Sequence, residues 1–337
     1  MASGLEALAV PSRRSVGQWL RRHLFDGPWN TALTLAAAAL LLRVIPPAVR
    51  WARHAHWAVV TDNPRFWLLG PMPLEYVGRA YWAGGLTVCA VALTAVGLRV
   101  GVRPARLVAL WVGVAFGALW VMSPVRMDHI GGLYLTLLLA VTAITASFPL
   151  GVLIGMGRVS RLPVIRAAAV LYIEVIRGVP FITVLLWFSV FVTLVSGDAL
   201  GRVQRAMIAM TVFTAAYVAE IVRGGIEAVP RGQVEAARAL GLSAGQTMLR
   251  IVLPQAVKVM IPALVGQFIS LFKDTSLAVI IGLSELVGAG RALLARAEYL
   301  HDVREVYVFL LIVYFIGSYV LSSASRRLER RLGLGER

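Results

Sequence analysis

Lysine is almost absent from this chain, occurring only at Lys258 and Lys273, and Lys273 stands beside Asp274 inside an apolar stretch. Thr275 and Ser276 follow directly. An unpaired charge at the centre of a bilayer costs ~3 kcal/mol or more, so such residues face protein or a cavity. Neighbours on a helix point about 100° apart. Lys273 and Asp274 are therefore expected to pair with other groups, and Glu220 and Glu174, near the ends of their own apolar runs, are the candidate partners. Two readings fit this set. It forms a polar pathway for a small solute carrying both charges, or it forms structural ion pairs between helices.

No catalytic residue is identified. A phosphate-binding loop needs Lys followed by Ser or Thr after a glycine-rich turn, but Val259 follows Lys258 and Asp274 follows Lys273. Ser189, Ser270 and Ser276 have no histidine near them in sequence, which counts against a membrane-embedded enzyme. His54 and His56 read as an interfacial loop pair, and the lone Cys89 lies in an apolar run, so no metal site is expected.

The elements that must position these residues are hydrophobic helices. Of the 337 residues, 59% are apolar and 15% charged, against about 25% charged in a soluble domain. Crossing ~30 Å of hydrocarbon takes about 20 apolar residues. Eight spans are expected, at 31–50, 81–99, 106–123, 132–157, 165–195, 206–226, 258–283 and 304–324. The fold class is thus an all-α polytopic membrane protein. The fifth span is long and should break near Gly178-Val179-Pro180, because proline lacks a donor and restricts the residue before it. Pro149 and Pro262 should kink their helices, and the pairs Gly113/Gly117 and Gly151/Gly155 should permit close helix approach.

The net charge of +16 does not indicate nucleic acid, since the arginines flank apolar runs instead of lining one polar face and no nucleic-acid motif appears. Placing both termini in the cytoplasm puts more of them inside, including Arg13, Arg14, Arg21 and Arg22 at the start and residues 326–337 at the end, in line with the positive-inside rule. The first apolar run reads as a retained helix, not a cleaved signal. Residues 51–80 then form an outer loop whose Trp51, Trp57 and Trp67, with Trp82, suit an interface belt. Arg43 reads as a snorkelling residue.

Residues 227–257 are too polar for lipid yet helix-forming. Good helix formers fill 234–240, Gly241 supplies a left-handed cap, and Ser243 with Gln246 matches a capping box that opens a second helix, interrupted at Pro254. A short helix, a tight turn and a second helix make a shaped knob suited to another protein's groove. An amphipathic connector at the lipid surface is the plainer alternative.

The spacing Glu235-Ala236-Ala237, Gly241, Ile251 and Leu253-Pro254 resembles the cytoplasmic motif of ABC-importer permeases. Its surroundings resemble the polar-amino-acid branch: Gly131-Gly132-Leu133, Tyr172-Ile173-Glu174, Arg177-Gly178-Val179-Pro180, Ala216-Tyr217-Val218-Ala219-Glu220, Val229-Pro230-Arg231-Gly232-Gln233 and Lys273-Asp274-Thr275-Ser276-Leu277. With three extra N-terminal helices, the chain looks like the longer permease of general L-amino-acid importers. The resemblance implies a type I permease core of five helices over 129–325 with coupling loop 227–257. Before it come an N-terminal tail, three accessory helices and an outer loop (1–128), and after it a basic tail (326–337). It further implies a bacterial inner-membrane location, a homologous second permease or second copy, two ATPase subunits, an external substrate-binding protein and an amino-acid substrate. This chain would hold no cofactor, with ATP and Mg on the partner ATPase. A secondary transporter or channel for small polar solutes is the alternative.

Overall fold

The computed structural model describes residue 20 and residues 23–331. The N-terminal arginines at 13, 14, 21 and 22 and the tail beyond 331 lie outside the described residues. The chain divides into two compact units, one ending at His56 and one beginning at Trp57. The described part of the first is dominated by α1 (Gly27–His54), a 28-residue apolar helix with Pro46 and Pro47 inside it and no buried residue. It is long and apolar enough to cross a membrane, with its arginines confined to its second half.

The second unit is helical throughout, and its described residues contain no β pairing beyond one bridge between Gly132 and Glu285. Two short helices, α2 (Ala58–Thr61) and α3 (Pro64–Leu69), lead into α4 (Leu74–Val100) and α5 (Pro104–Met122), which pack as a pair. There follow α6 (Gly132–Arg158), α7 (Pro163–Arg177), α8 (Phe181–Ser196) and α9 (Arg202–Glu227). The loop segment holds α10 (Arg231–Ala239) and α11 (Ala244–Thr247), and a five-residue π turn (Met248–Val252) runs into α12 (Leu253–Asp274). A 3-10 segment (Thr275–Ile281), α13 (Leu286–Leu294) and α14 (Val303–Arg331) complete the chain.

Among the described residues, five helical segments are long and apolar enough to cross a membrane, or six if α7 and α8 count as one bent span. Six of the eight expected spans correspond to these. The segments expected at 81–99 and 106–123 do form α4 and α5, but neither is among the five. The predicted break is present: α7 and α8 meet at 103°, with Gly178 ending one helix and Pro180 capping the next.

Helix α9 is the interior of the bundle, and α6 is its principal neighbour. In lipid there is little hydrophobic drive between helices, so small residues that admit close contact set the packing. Gly151 and Gly155 do this. A Cβ at Gly155 would stand 2.7 Å from the Ala219 carbonyl oxygen, and one at Gly151 would stand 2.5 Å from Val218 Cβ. The other expected pair does not. A Cβ at Gly113 would meet nothing within 4 Å, and one at Gly117 only Leu86 at 3.7 Å. Equal spacing hid the difference, because only α6 has an interior helix across from it.

Residues 57–72 are not a free loop. Val59, Trp67, Leu69 and Met72 are buried. Trp67 donates its indole N–H to the Val59 carbonyl at 3.1 Å and its ring packs 4.6 Å from Phe309, so it is a core residue and not part of an interface belt. A buried Trp needs such an acceptor, and the short helix α2 presents one.

Candidate functional site

The segment between α9 and α12 folds as a rigid knob. Pro230 starts α10 with extended backbone. Glycine reaches positive φ without a Cβ penalty, and Gly241 ends the helix at φ +77°. The Gly241 N–H donates to the Arg238 carbonyl at 2.9 Å and the Leu242 N–H to the Ala237 carbonyl at 3.1 Å, the paired bonds of a Schellman turn. The capping box then forms in both directions: the Ser243 N–H donates to Gln246 Oε1 at 3.0 Å and the Gln246 N–H to Ser243 Oγ at 3.3 Å.

The second helix is not interrupted at Pro254, as its sequence suggested. The π turn at Met248–Val252 widens the helix just before Pro254, which sits in the first turn of α12. A proline in a helix lacks a donor and crowds the carbonyl four residues back. One extra residue per turn accommodates both defects, so the rod runs unbroken from Ala244 to Ile281.

The knob is fixed to the bundle by an apolar cluster of Val218, Val222, Val229, Val252, Ala256 and Met260, with Val234 and Met248 packed against it. Of the expected contact residues, Ala237 is buried, Ile251 and Leu253 are half-buried, and Glu235, Ala236, Gly241 and Pro254 are exposed. Sequence reasoning used Leu240 only as a helix former. It stands 83% exposed at the turn, an apolar side chain on a polar protrusion.

The structure separates the intramembrane charges that the sequence grouped. Glu220 sits near the knob end and meets arginines from three helices: Arg158 of α6 at 3.3 Å, Arg177 of α7 at 3.7 Å and Arg223 of its own helix at 2.6 Å. Arg158 also reaches Glu174 at 3.0 Å, and Arg223 pairs with Glu227. Arg177 lies over the Tyr217 ring, 5.4 Å from its centroid. Glu174 and Glu220 are therefore not the partners of Lys273 and Asp274. Antiparallel travel is the reason. Glu220 lies late in α9, close to the knob, whereas Lys273 and Asp274 close α12 after it has crossed to the far end. There Lys273 is exposed, Asp274 and Ser276 are half-buried, and Thr275 is fully buried with its hydroxyl donating to the Phe272 carbonyl at 2.7 Å.

The far end holds a residue that the sequence reading missed. Glu285 is fully buried. It caps α13, accepting from the N–H groups of Val287 at 2.9 Å and Gly288 at 3.0 Å, and it accepts from the Tyr314 hydroxyl at 3.2 Å. Beside it the Leu286 N–H donates to Thr136 Oγ1 at 3.0 Å, and the Gly132 N–H to the Ser284 carbonyl at 2.8 Å. Burial pushes the Glu285 carboxyl up to about 7, against the lowering effect of these hydrogen bonds. Its sequence signal was an acid placed just ahead of the amphipathic run 286–294, where a helix N-terminus favours negative charge. The described residues contain no group of three metal-ligating side chains.

Comparison with known proteins bears on what this arrangement does. The model of a family described as "binding-protein-dependent transport system inner membrane component" matches residues 147–334. The chain is similar to the inner membrane amino-acid ABC transporter permease protein YhdY of Escherichia coli, at 33% identity, covering 94% of this chain and 93% of that one. It is also similar to the glutamate/glutamine/aspartate/asparagine transport system permease protein BztC of Rhodobacter capsulatus, at 29% identity with the same coverage. Among solved structures, it resembles a chain from the crystal structure of an amino acid ABC transporter with histidines. Identity there is 32%, the match covers 59% of this chain and 92% of that one, and the TM-score is 0.56.

Proposed function

This chain belongs to the family of binding-protein-dependent transport system inner membrane components, and we propose that it is the permease subunit through which an ATP-driven importer moves polar amino acids. The observation that carries the reading is the exposed, doubly capped knob of residues 231–247, set on the end of an unbroken helical rod.

The knob end faces the cytoplasm, and both termini lie there. Two ATPase subunits, which hold the ATP and Mg, dock from that side, and a second permease (homologous or identical) completes the pore. A soluble binding protein delivers the amino acid to the opposite side. Glu235, Ala236, Gly241 and Leu240 meet an ATPase cleft. Ala237, Ile251 and Leu253 hold the contact to the bundle, and Pro254 seats the helix that carries it. Closure of the ATPase pair displaces the knob, and the cluster around Val252 passes the displacement to α9 and α12. The arginine–glutamate network around Glu220 makes the adjoining ends of α6, α7 and α9 move together. Nucleotide shifts the pore only to the extent that its two conformations bind the ATPases differently.

Lys273, Asp274, Thr275 and Ser276 lie at the end of α12 where a substrate enters from outside. A zwitterionic amino acid needs both charges compensated once it leaves water, and an exposed lysine beside a half-buried aspartate offers both.

The test is ATPase activity of the reconstituted complex across a panel of amino acids presented on the binding protein. Stimulation by a subset of polar amino acids is expected, with uptake abolished when the ATPase subunit is inactivated. Uptake that survives this inactivation would establish a secondary transporter instead.

A further inference from the structure

Glu285 is fully buried, and among the described residues no arginine, lysine or histidine forms an ion pair with it. The elements packed against its helix are α3, α6, the 3-10 segment, residues 297–299 and α14. The charged groups these elements and α13 carry at the far end are Arg65, Arg291, Glu298, Arg304 and Glu305. None of them hydrogen-bonds to the carboxyl, whose partners are the Val287 and Gly288 N–H groups and the Tyr314 hydroxyl. Tyr314 is thus the titratable group that meets it. A buried carboxyl without a cation favours its protonated form, and burial raises this one to about 7.

Beside this node lies a segment that can coil in two ways. Thr275–Ile281 is seven residues of 3-10 helix and ends at Gly282 with φ +78°. The 3-10 form has poorer hydrogen-bond geometry than the α form, and runs longer than about four residues are uncommon. Recoiling seven residues from a rise of about 2.0 Å to about 1.5 Å each would shorten the segment by about 3.5 Å. Both of its ends are tied to the node. At the start, the buried Thr275 hydroxyl interacts with that of Tyr314. Past the end, the Gly132 N–H donates to the Ser284 carbonyl at 2.8 Å and the Leu286 N–H to Thr136 Oγ1 at 3.0 Å. The segment follows directly on Lys273 and Asp274.

Resting on the importer reading, we propose that residues 275–281 are a hinge at the outer mouth and that Glu285 governs it as a sensor of protons in the outer compartment. With the carboxyl protonated, the node holds both ends of the hinge and import stays coupled to ATP hydrolysis. With the carboxylate charged, a buried and uncompensated ion loosens the node, the hinge recoils, and ATP is hydrolysed without import. The hold is complete below the usual carboxylate range and is lost as outer pH rises toward 7.

The experiment uses the full complex in liposomes, with ATP inside and saturating binding protein outside. Glutamine or asparagine, which have no titrating side chain, is the transported probe. The ratio of amino acid imported to ATP hydrolysed is followed against outer pH with inner pH clamped, and then the reverse. In the wild type the ratio should fall about threefold or more as outer pH rises from about 5 to about 7.5, with no response to inner pH. In Glu285→Gln the fall should vanish, whereas any effect of pH on the binding protein would remain. Tyr314→Phe removes a hydrogen bond that favours the charged carboxylate, so its fall should extend to higher pH. Spin labels at Ile280 and Leu300, both exposed, in a Cys89→Ser background report the hinge itself. Their separation should change by up to about 3.5 Å over the same outer pH range, and not in Glu285→Gln. A ratio flat with outer pH, a fall that persists in Glu285→Gln or is unmoved in Tyr314→Phe, or a label separation independent of pH overturns the proposal. Absence of ATP-dependent uptake at every pH would instead overturn the importer reading itself.

Discussion

Replacing Glu285 by glutamine removes a titration while keeping a hydrogen-bonding side chain of the same size. The carboxyl is fully buried, receives two backbone N–H groups and one phenol, and has no cation among the charges acting on it. Burial raises it from 4.5 to about 7. The folded node therefore holds a proton that the opened, solvated loop releases. The stabilisation is fully present below about 4.5 and is lost as pH rises to about 7; above that both states are ionised and pH has no further effect. The interval is about 2.5 units, and each unit is 1.36 kcal/mol, so the node weakens by about 3 kcal/mol across the window. Amide hydrogen exchange of residues 282–290 in the purified complex, corrected for the intrinsic pH dependence of exchange, reads this directly. In the wild-type chain the opening equilibrium should grow about tenfold per pH unit between roughly 4.5 and 7 and then level off. In Glu285→Gln it should be flat. A wild-type opening equilibrium that is constant over this range would refute the reasoning, as would a glutamine variant that keeps the slope.

Three further outcomes follow from the same geometry. Gly241→Val forces a β-branched residue to φ +77° in otherwise open space, costing about 1–2 kcal/mol in the turn; uptake should fall while membrane insertion and subunit yield stay normal, and Glu235→Lys should act alike. Gly155→Ala places a methyl 2.7 Å from a backbone oxygen and should lower stability of the solubilised complex by about 1–3 kcal/mol, whereas Gly113→Ala should leave its melting temperature unchanged or slightly raised. Asp274→Asn should cut uptake at least tenfold with assembled complex retained; equal loss of both would make Asp274 a structural residue.

The local rules of the chain were legible because they are short-range. Gly241 and the Ser243/Gln246 box act within five residues, and both form as their types and spacing require. The break at Gly178–Pro180 is equally local. What failed depended on what lies across the gap. Two glycine pairs with one spacing differ because α9 faces one pair and not the other. Glu220 and Asp274 belong to opposite ends of the bundle, a fact of helix direction that composition does not carry. Trp67 looked like an interface residue because its acceptor, the Val59 carbonyl, and its ring neighbour Phe309 come to it only in the folded chain.

The far-end node shows most clearly what a single sequence withholds. Thr136, Glu285 and Tyr314 lie about 150 and 29 positions apart along the chain, and no periodicity links them. Each alone reads as an ordinary polar residue at the edge of an apolar run. Together they hold the first core helix, the loop after α12 and the last helix in one hydrogen-bonded set. If the knob end is where force enters, some element at the opposite end must keep these three strands of chain in register while the helices tilt. A buried acid that caps a helix and binds a phenol is suited to that task, because unsatisfied polar groups left behind by separation would cost more than the bonds themselves contribute. Movement at the far end is therefore expected to carry Thr136, Glu285 and Tyr314 as one body, with the change in shape confined to helix faces that lack such ties.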